Sequence, residues 1–125
     1  MMRERLIGNR VMFSYTVTAE FDDPRIAEEW IAWLRDEHLR EVCAAGALDA
    51  EVIRFDMPAA VSDVTGHQAV RCEVRYHFES RAAFERYVRE HAPRLREEGL
   101  RRFPPERGIA YSRSIGEVAA HHPKR

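Results

Sequence analysis

The chain has 125 residues, a formal net charge of −1 and 33% charged residues of both signs, which fits one domain with a real core that needs no metal or disulfide to hold it. Interspersed acids and bases create no long-range field for nucleic acid or an anionic membrane surface, so neither partner is expected. No apolar run approaches membrane-spanning length and the N-terminal MMRERLIGNR lacks the apolar core of a signal peptide, which makes the cytoplasm the expected location.

Residues 1–10 read as a tail. Residues 12–21, MFSYTVTAEF, alternate, with Phe13, Tyr15, Val17, Ala19 and Phe21 on one face and Ser14, Thr16, Thr18 and Glu20 on the other, which predicts a strand buried on one side. Asp22 and Asp23 offer N-caps and Pro24 suits a first turn, so a helix is expected from there towards Ala45, stopped by Gly46. Its apolar stripe holds Ile26, Ala27, Trp30, Ile31, Leu34, Val42 and Ala45, and at about 100° per residue His38 and Glu41 fall inside that stripe. Residues 48–55 predict a second strand and residues 56–68, with Pro58, Asp63, Gly66 and His67, a loop. Residues 69–78, AVRCEVRYHF, alternate again, with Val70, Cys72, Val74, Tyr76 and Phe78 opposite Arg71, Glu73, Arg75 and His77.

Ser80 is placed to cap a second helix whose stripe reads Phe84, Val88, His91 and Leu95, with Tyr87 and Ala92 at its edges. Pro93 removes a backbone donor and clashes with the preceding turn, so residues 93–103 should restart as a short Arg-rich helix. Residues 109–115 predict the last strand, and residues 117–125 a second tail. The order βαββαβ with an extra helical turn is the ferredoxin-like α+β plan. Cys43 and Cys72 lie in different elements without metal or redox spacing, and are expected as reduced core thiols. Of the 20 basic residues all but Lys124 are Arg, a bias that points to a GC-rich bacterial genome.

Two polar residues on an apolar stripe demand partners. His38 and Glu41 either satisfy each other and nearby backbone, or form an acid/base pair in which the carboxylate orients the imidazole. His91, in the last turn before Pro93, reads as a structural residue facing free carbonyls. Strand parity turns Tyr15, Tyr76, Tyr111 and Arg113 towards the helices, where with Trp30 and His38 they line a pocket for a small organic molecule, Arg113 meeting an anionic group. Alternatively the aromatic residues are core and Arg113 pairs with Glu41 or Glu37. Carboxylate-bridged metal sites need a second His-x-x-Glu and further carboxylates, so no metal is expected, and the absence of nucleotide-binding glycine motifs leaves no cofactor expected. The Arg-rich stretch over 81–107 reads as a solvated helical face.

Trp30-x-x-Trp33, His38-x-x-Glu41-Val42, Gly46, Tyr76, Ser80, Tyr87, the run HAPRLR at 91–96, Phe103 and Arg113 together resemble an uncharacterised bacterial family of the dimeric α/β-barrel superfamily. The resemblance covers roughly residues 11–116 and implies a ferredoxin-like protomer of that extent that dimerises sheet to sheet. It implies no single activity, because superfamily relatives include cofactor-independent monooxygenases, small isomerases and stress-response proteins. A homodimer is also expected from the residues, since Ser14, Thr16, Thr18, Glu73, Arg75 and His77 share the sheet face that carries no helix. Three functions remain open: a small-molecule-binding protein, an enzyme using His38 as base, and an interaction module without a ligand.

Overall fold

The computed structural model describes residues 11–56 and 69–123. The expected tail over residues 1–10, the loop from Met57 to Gln68 including His67, and the last two residues lie outside the described residues. The first alternating segment forms strand β1, Phe13–Phe21. Asp23 then accepts the Arg25 N–H at 2.9 Å and Pro24 occupies the first turn of α1, Pro24–Trp33. The expected continuous helix widens at this point. Leu34–His38 form a π turn in which the Leu39 N–H donates to the Leu34 carbonyl, before α2 resumes over Leu39–Ala44. Gly46 leaves the helix at φ +135°, a conformation that favours glycine.

Strands β2, Asp49–Arg54, and β3, Val70–Phe78, follow. Ser80 Oγ accepts the Ala83 N–H at 3.1 Å and starts α3, Arg81–Glu90. His91 is the joint, and Pro93 stands in the first turn of α4, Ala92–Arg102. A short 3-10 turn, Pro105–Arg107, leads to β4, Ile109–Glu117. Glu117, expected in the tail, therefore ends a strand, and the Val118 N–H still bonds the Met12 carbonyl at 2.9 Å. The four strands form one antiparallel sheet in the order β2-β3-β1-β4, the ferredoxin-like α+β arrangement.

Strand parity holds throughout the two central strands. Phe13, Tyr15, Ala19 and Phe21 of β1 and all five inward residues of β3 are buried, and their rings mesh with α3, Phe84 lying 5.1 Å from Phe13 and 5.4 Å from Phe78. Helical phase fares less well across the break at His91. The buried residues of α3 are Phe84 and Tyr87, whereas Val88 is exposed and the His91 side chain is 35% exposed and makes no side-chain cap. Residues 84–95 are two helices, so no common stripe passes through the joint; Ala92 and Leu95 bury a face set by α4 alone.

On the helix-free face the charges are matched. Glu73, 9% exposed, accepts from Arg71 at 3.2 Å, from Arg75 at 3.0 Å and from Thr18 at 3.4 Å. His77 Nδ1 lies 2.9 Å from Asp49 on the neighbouring strand. Burial works against the Glu73 charge, but the two arginine hydrogen bonds prevail and hold its carboxyl below the usual range.

Candidate functional site

A cavity of about 70 Å³ opens between the sheet and the helices. Its floor is Tyr15 and Val17 of β1, Val74 and Tyr76 of β3, and Tyr111 and Arg113 of β4. Trp30 and Trp33 of α1 with Leu34 and His38 of the π turn form one wall, and Tyr87 with the α4 residues Leu95, Arg96, Gly99 and Leu100 forms the other. Each floor residue is there because antiparallel register places Val17 opposite both Val74 and Arg113, and Tyr15 opposite Tyr76. Gly99 lets α4 approach: a Cβ at that position would sit 3.2 Å from the Trp33 ring.

The π turn decides what reaches the cavity. A wide turn holds one residue more than an α turn, so every later residue sits about 100° behind its expected position. Val42 thereby comes to the centre of the buried side, at 0% exposure, and the Glu41 side chain moves to its margin, 39% exposed. His38 stays inside, stacked on Trp33 with ring centroids 4.4 Å apart. Of the residues expected at the site, His38, Tyr15, Trp30, Tyr76, Tyr111 and Arg113 line the cavity and Glu41 does not. Glu41 Oε1 approaches His38 Nδ1 from behind at 3.9 Å, beyond hydrogen-bond distance.

Three buried polar atoms here have no hydrogen-bond partner among the described residues: Trp33 Nε1, His38 Nδ1 and Glu41 Oε1. Burial lowers the His38 pKa from 6.5 to about 4, a drop that the nearby Glu98 carboxylate only partly opposes. The imidazole is neutral at physiological pH. Burial likewise pushes the Tyr76 and Tyr87 phenols upward and Tyr111 to about 12, so all three remain protonated. The Tyr111 hydroxyl donates to the Phe103 carbonyl at 2.8 Å, while the Tyr15 hydroxyl accepts from Arg113 Nε at 3.2 Å. Arg113 thus pairs with neither Glu41 nor Glu37, and Glu37 instead meets Arg102 at 3.6 Å.

Leu34, Trp33, Tyr87, Arg96 and Gly99 are additions that sequence reasoning did not place at the site. Trp33 lies outside the regular stripe, and Arg96 sits in a stretch that reads as solvated; fixing the phase of α4 from Pro93 and Leu95 alone is the signal that brings Leu95 and Gly99, one turn apart, to one face. Among the described residues no three histidines, cysteines or carboxylates converge as a metal site, and no helix is long and apolar enough to cross a membrane.

Residues 12–115 match the family model described as Domain of unknown function (DUF4286). No curated protein matches. Among solved structures, a dimeric ferredoxin-like protein from an uncultured marine organism superimposes with TM-score 0.62 at 15% identity, covering 90% of this chain and 99% of that one. A second dimeric ferredoxin-like protein from an uncultured marine organism gives 0.64 at 10% identity over 90% and 99% of the two chains. A monooxygenase from ActVA-Orf6 of Streptomyces coelicolor, in complex with the ligand Nanaomycin D, gives 0.55 at 18% identity over 93% and 96%. At such identities the likeness is one of fold.

Proposed function

This chain belongs to the DUF4286 family, and we propose that it binds a small organic molecule in the cavity between its first helix and its sheet. The observation that carries the reading is an opening lined by aromatic rings in which two lining residues, Trp33 and His38, each keep a buried ring nitrogen without a hydrogen-bond partner among the described residues. Tyr15, Trp30, Tyr76, Tyr111 and Arg113 are its contact residues, and neutral His38 offers a ring nitrogen to a ligand donor or acceptor. The monooxygenase of similar fold solved in complex with Nanaomycin D supports a ligand-holding use of this architecture. A cavity of about 70 Å³ is roughly half of the ~150 Å³ that accommodates benzene. The ligand is therefore small, or leaves part of itself at the mouth.

A second reading makes His38 a general base with Glu41 behind it, in a cofactor-independent monooxygenase- or isomerase-like reaction. Their 3.9 Å approach favours it. A base whose conjugate acid has a pKa of about 4 takes protons only from acidic substrates at useful rates, so turnover is expected only where the product anion is stabilised.

The protein acts as a homodimer in this reading, with the helix-free sheet face as its contact, and in the cytoplasm, where both free cysteines stay reduced. The dimeric ferredoxin-like neighbours support the first point. Sedimentation at tens of micromolar, a range that captures ordinary dimer affinities, should give twice the chain mass. Ligand binding is tested by following the two indole N–H resonances, one on each cavity-lining tryptophan, while small aromatic and conjugated compounds are added. Saturable shifts of the Trp33 signal are expected, and none with any compound would leave the interaction module as the better reading.

A further inference from the structure

Two guanidinium groups at the cavity, Arg96 and Arg113, have no carboxylate partner among the described residues. Arg40, Arg81, Arg86, Arg89, Arg94 and Arg101 likewise have no ion pair among the described residues, and what sets Arg96 and Arg113 apart is their place in the cavity lining. The cavity lining contains no Asp or Glu. Arg113 is held in place instead by a neutral group, the Tyr15 hydroxyl at 3.2 Å, which fixes the direction of the guanidinium while leaving its charge uncompensated. Arg96 stands on the opposite wall of the same cavity, and Arg96 and Arg113, together with Arg94, pull against the burial that keeps the Tyr87 phenol protonated. Both side chains also belong to exposed residues, so they stand at the mouth while the rings lie deeper.

We infer that the ligand is a planar organic anion, a carboxylate or an enolate-like oxygen conjugated to a small apolar body, with its charge between Arg96 and Arg113 and its body among Tyr15, Tyr76, Tyr111 and the two tryptophans. This inference rests on the small-molecule reading above and adds the charge and shape of what binds. Planarity follows from the lining: Tyr15, Tyr76, Tyr111 and the two tryptophans border a narrow recess, in which a flat conjugated body makes the most ring contact for its volume. The charge follows from desolvation: two cations beside a largely apolar recess gain more from an anion than they would in water, and a bidentate carboxylate matches the guanidinium fork. The volume follows from the deep part of the site, which admits only a small unsaturated group while the charged end remains at the rim.

The test compares each acid with its neutral amide of nearly equal shape, crotonate against crotonamide and benzoate against benzamide, by titrating the two tryptophan indole resonances in the full-length protein. The acids should bind about tenfold more tightly than the amides, the scale of a charge-assisted hydrogen bond, with the preference shrinking as salt rises. Arg113→Gln and Arg96→Gln should each reduce that preference, read as the ratio of acid to amide affinity, and together abolish it; because both residues are exposed, the variants should keep the wild-type thermal midpoint. Equal binding of acid and amide to the wild type, or an undiminished preference in the double variant, would overturn the anion inference and leave the small-molecule reading standing. Binding of neither member of either pair would overturn both.

Discussion

The two faces of the sheet treat polar groups in opposite ways. On the helix-free face Glu73 is almost wholly buried and receives three hydrogen bonds from Arg71, Arg75 and Thr18, and His77 meets Asp49. Under the helices, among the described residues, three buried polar atoms are left without partners and the two cavity-lining arginines without counter-charges. The same sheet thus pairs its buried charge on one side and, among the described residues, leaves buried polar atoms without partners on the other, a departure from the rule for native cores that accompanies the proposed binding site.

The sharpest way to probe the contrast is acid. The His38 pKa is lowered on folding, from 6.5 to about 4, so between those values the unfolded chain holds a proton that the folded chain does not. Stability must then fall as pH drops through that window, by a total of about 3 kcal/mol. Urea unfolding at pH 7 and pH 4 should show the loss, and His38→Gln should remove most of it. The Glu73 carboxyl is also lowered, from 4.5, but its contribution is present above that value and disappears only as pH falls further. Two stages of acid destabilisation are therefore expected, the first from the cavity side and the second from the open face.

A smaller effect is expected from Glu73→Gln. Its two arginines would lose their shared charge at a site with little solvent, costing about 2 kcal/mol, and urea midpoints at pH 7 should fall accordingly. If the open face is the dimer contact, the same variant should also dissociate at higher concentration than the wild type. Smaller still is Arg113→Gln, for which a stability change within about 0.5 kcal/mol is expected, because Arg113 is itself exposed and its side chain makes a single hydrogen bond, to the Tyr15 hydroxyl. A large loss there would show that Arg113 belongs to the structural side of the comparison.

The strands were legible because their signal is local: a period of two survives unless a bulge intervenes, and none does in β1 or β4 between Phe13 and Glu117. That parity alone delivers Tyr15, Tyr76, Tyr111 and Arg113 to the cavity floor. Helical phase is a running sum, and two events interrupt it here. The π turn at Leu34–His38 carries no residue type that announces it, so Glu41 is read as central when it is marginal. The break at His91 is announced by Pro93, yet the new phase of α4 has to be set afresh, and for that reason Arg96 looks like one more solvated arginine while Val88 and His91 look buried. The polar atoms without partners are beyond any sequence pattern, since they depend on distances such as the 3.9 Å between His38 and Glu41.

The wide turn also lets the first helix absorb a change of length. Removing one residue from the exposed pair Arg35–Asp36 would restore ordinary α geometry while leaving Val42 in the core and Glu41 at the margin, because the turn already takes up that residue as about 100° of phase. The turn works as slack in the chain, and relatives one residue shorter between Trp33 and Gly46 should present the same chemical face to the recess on a regular α-helix.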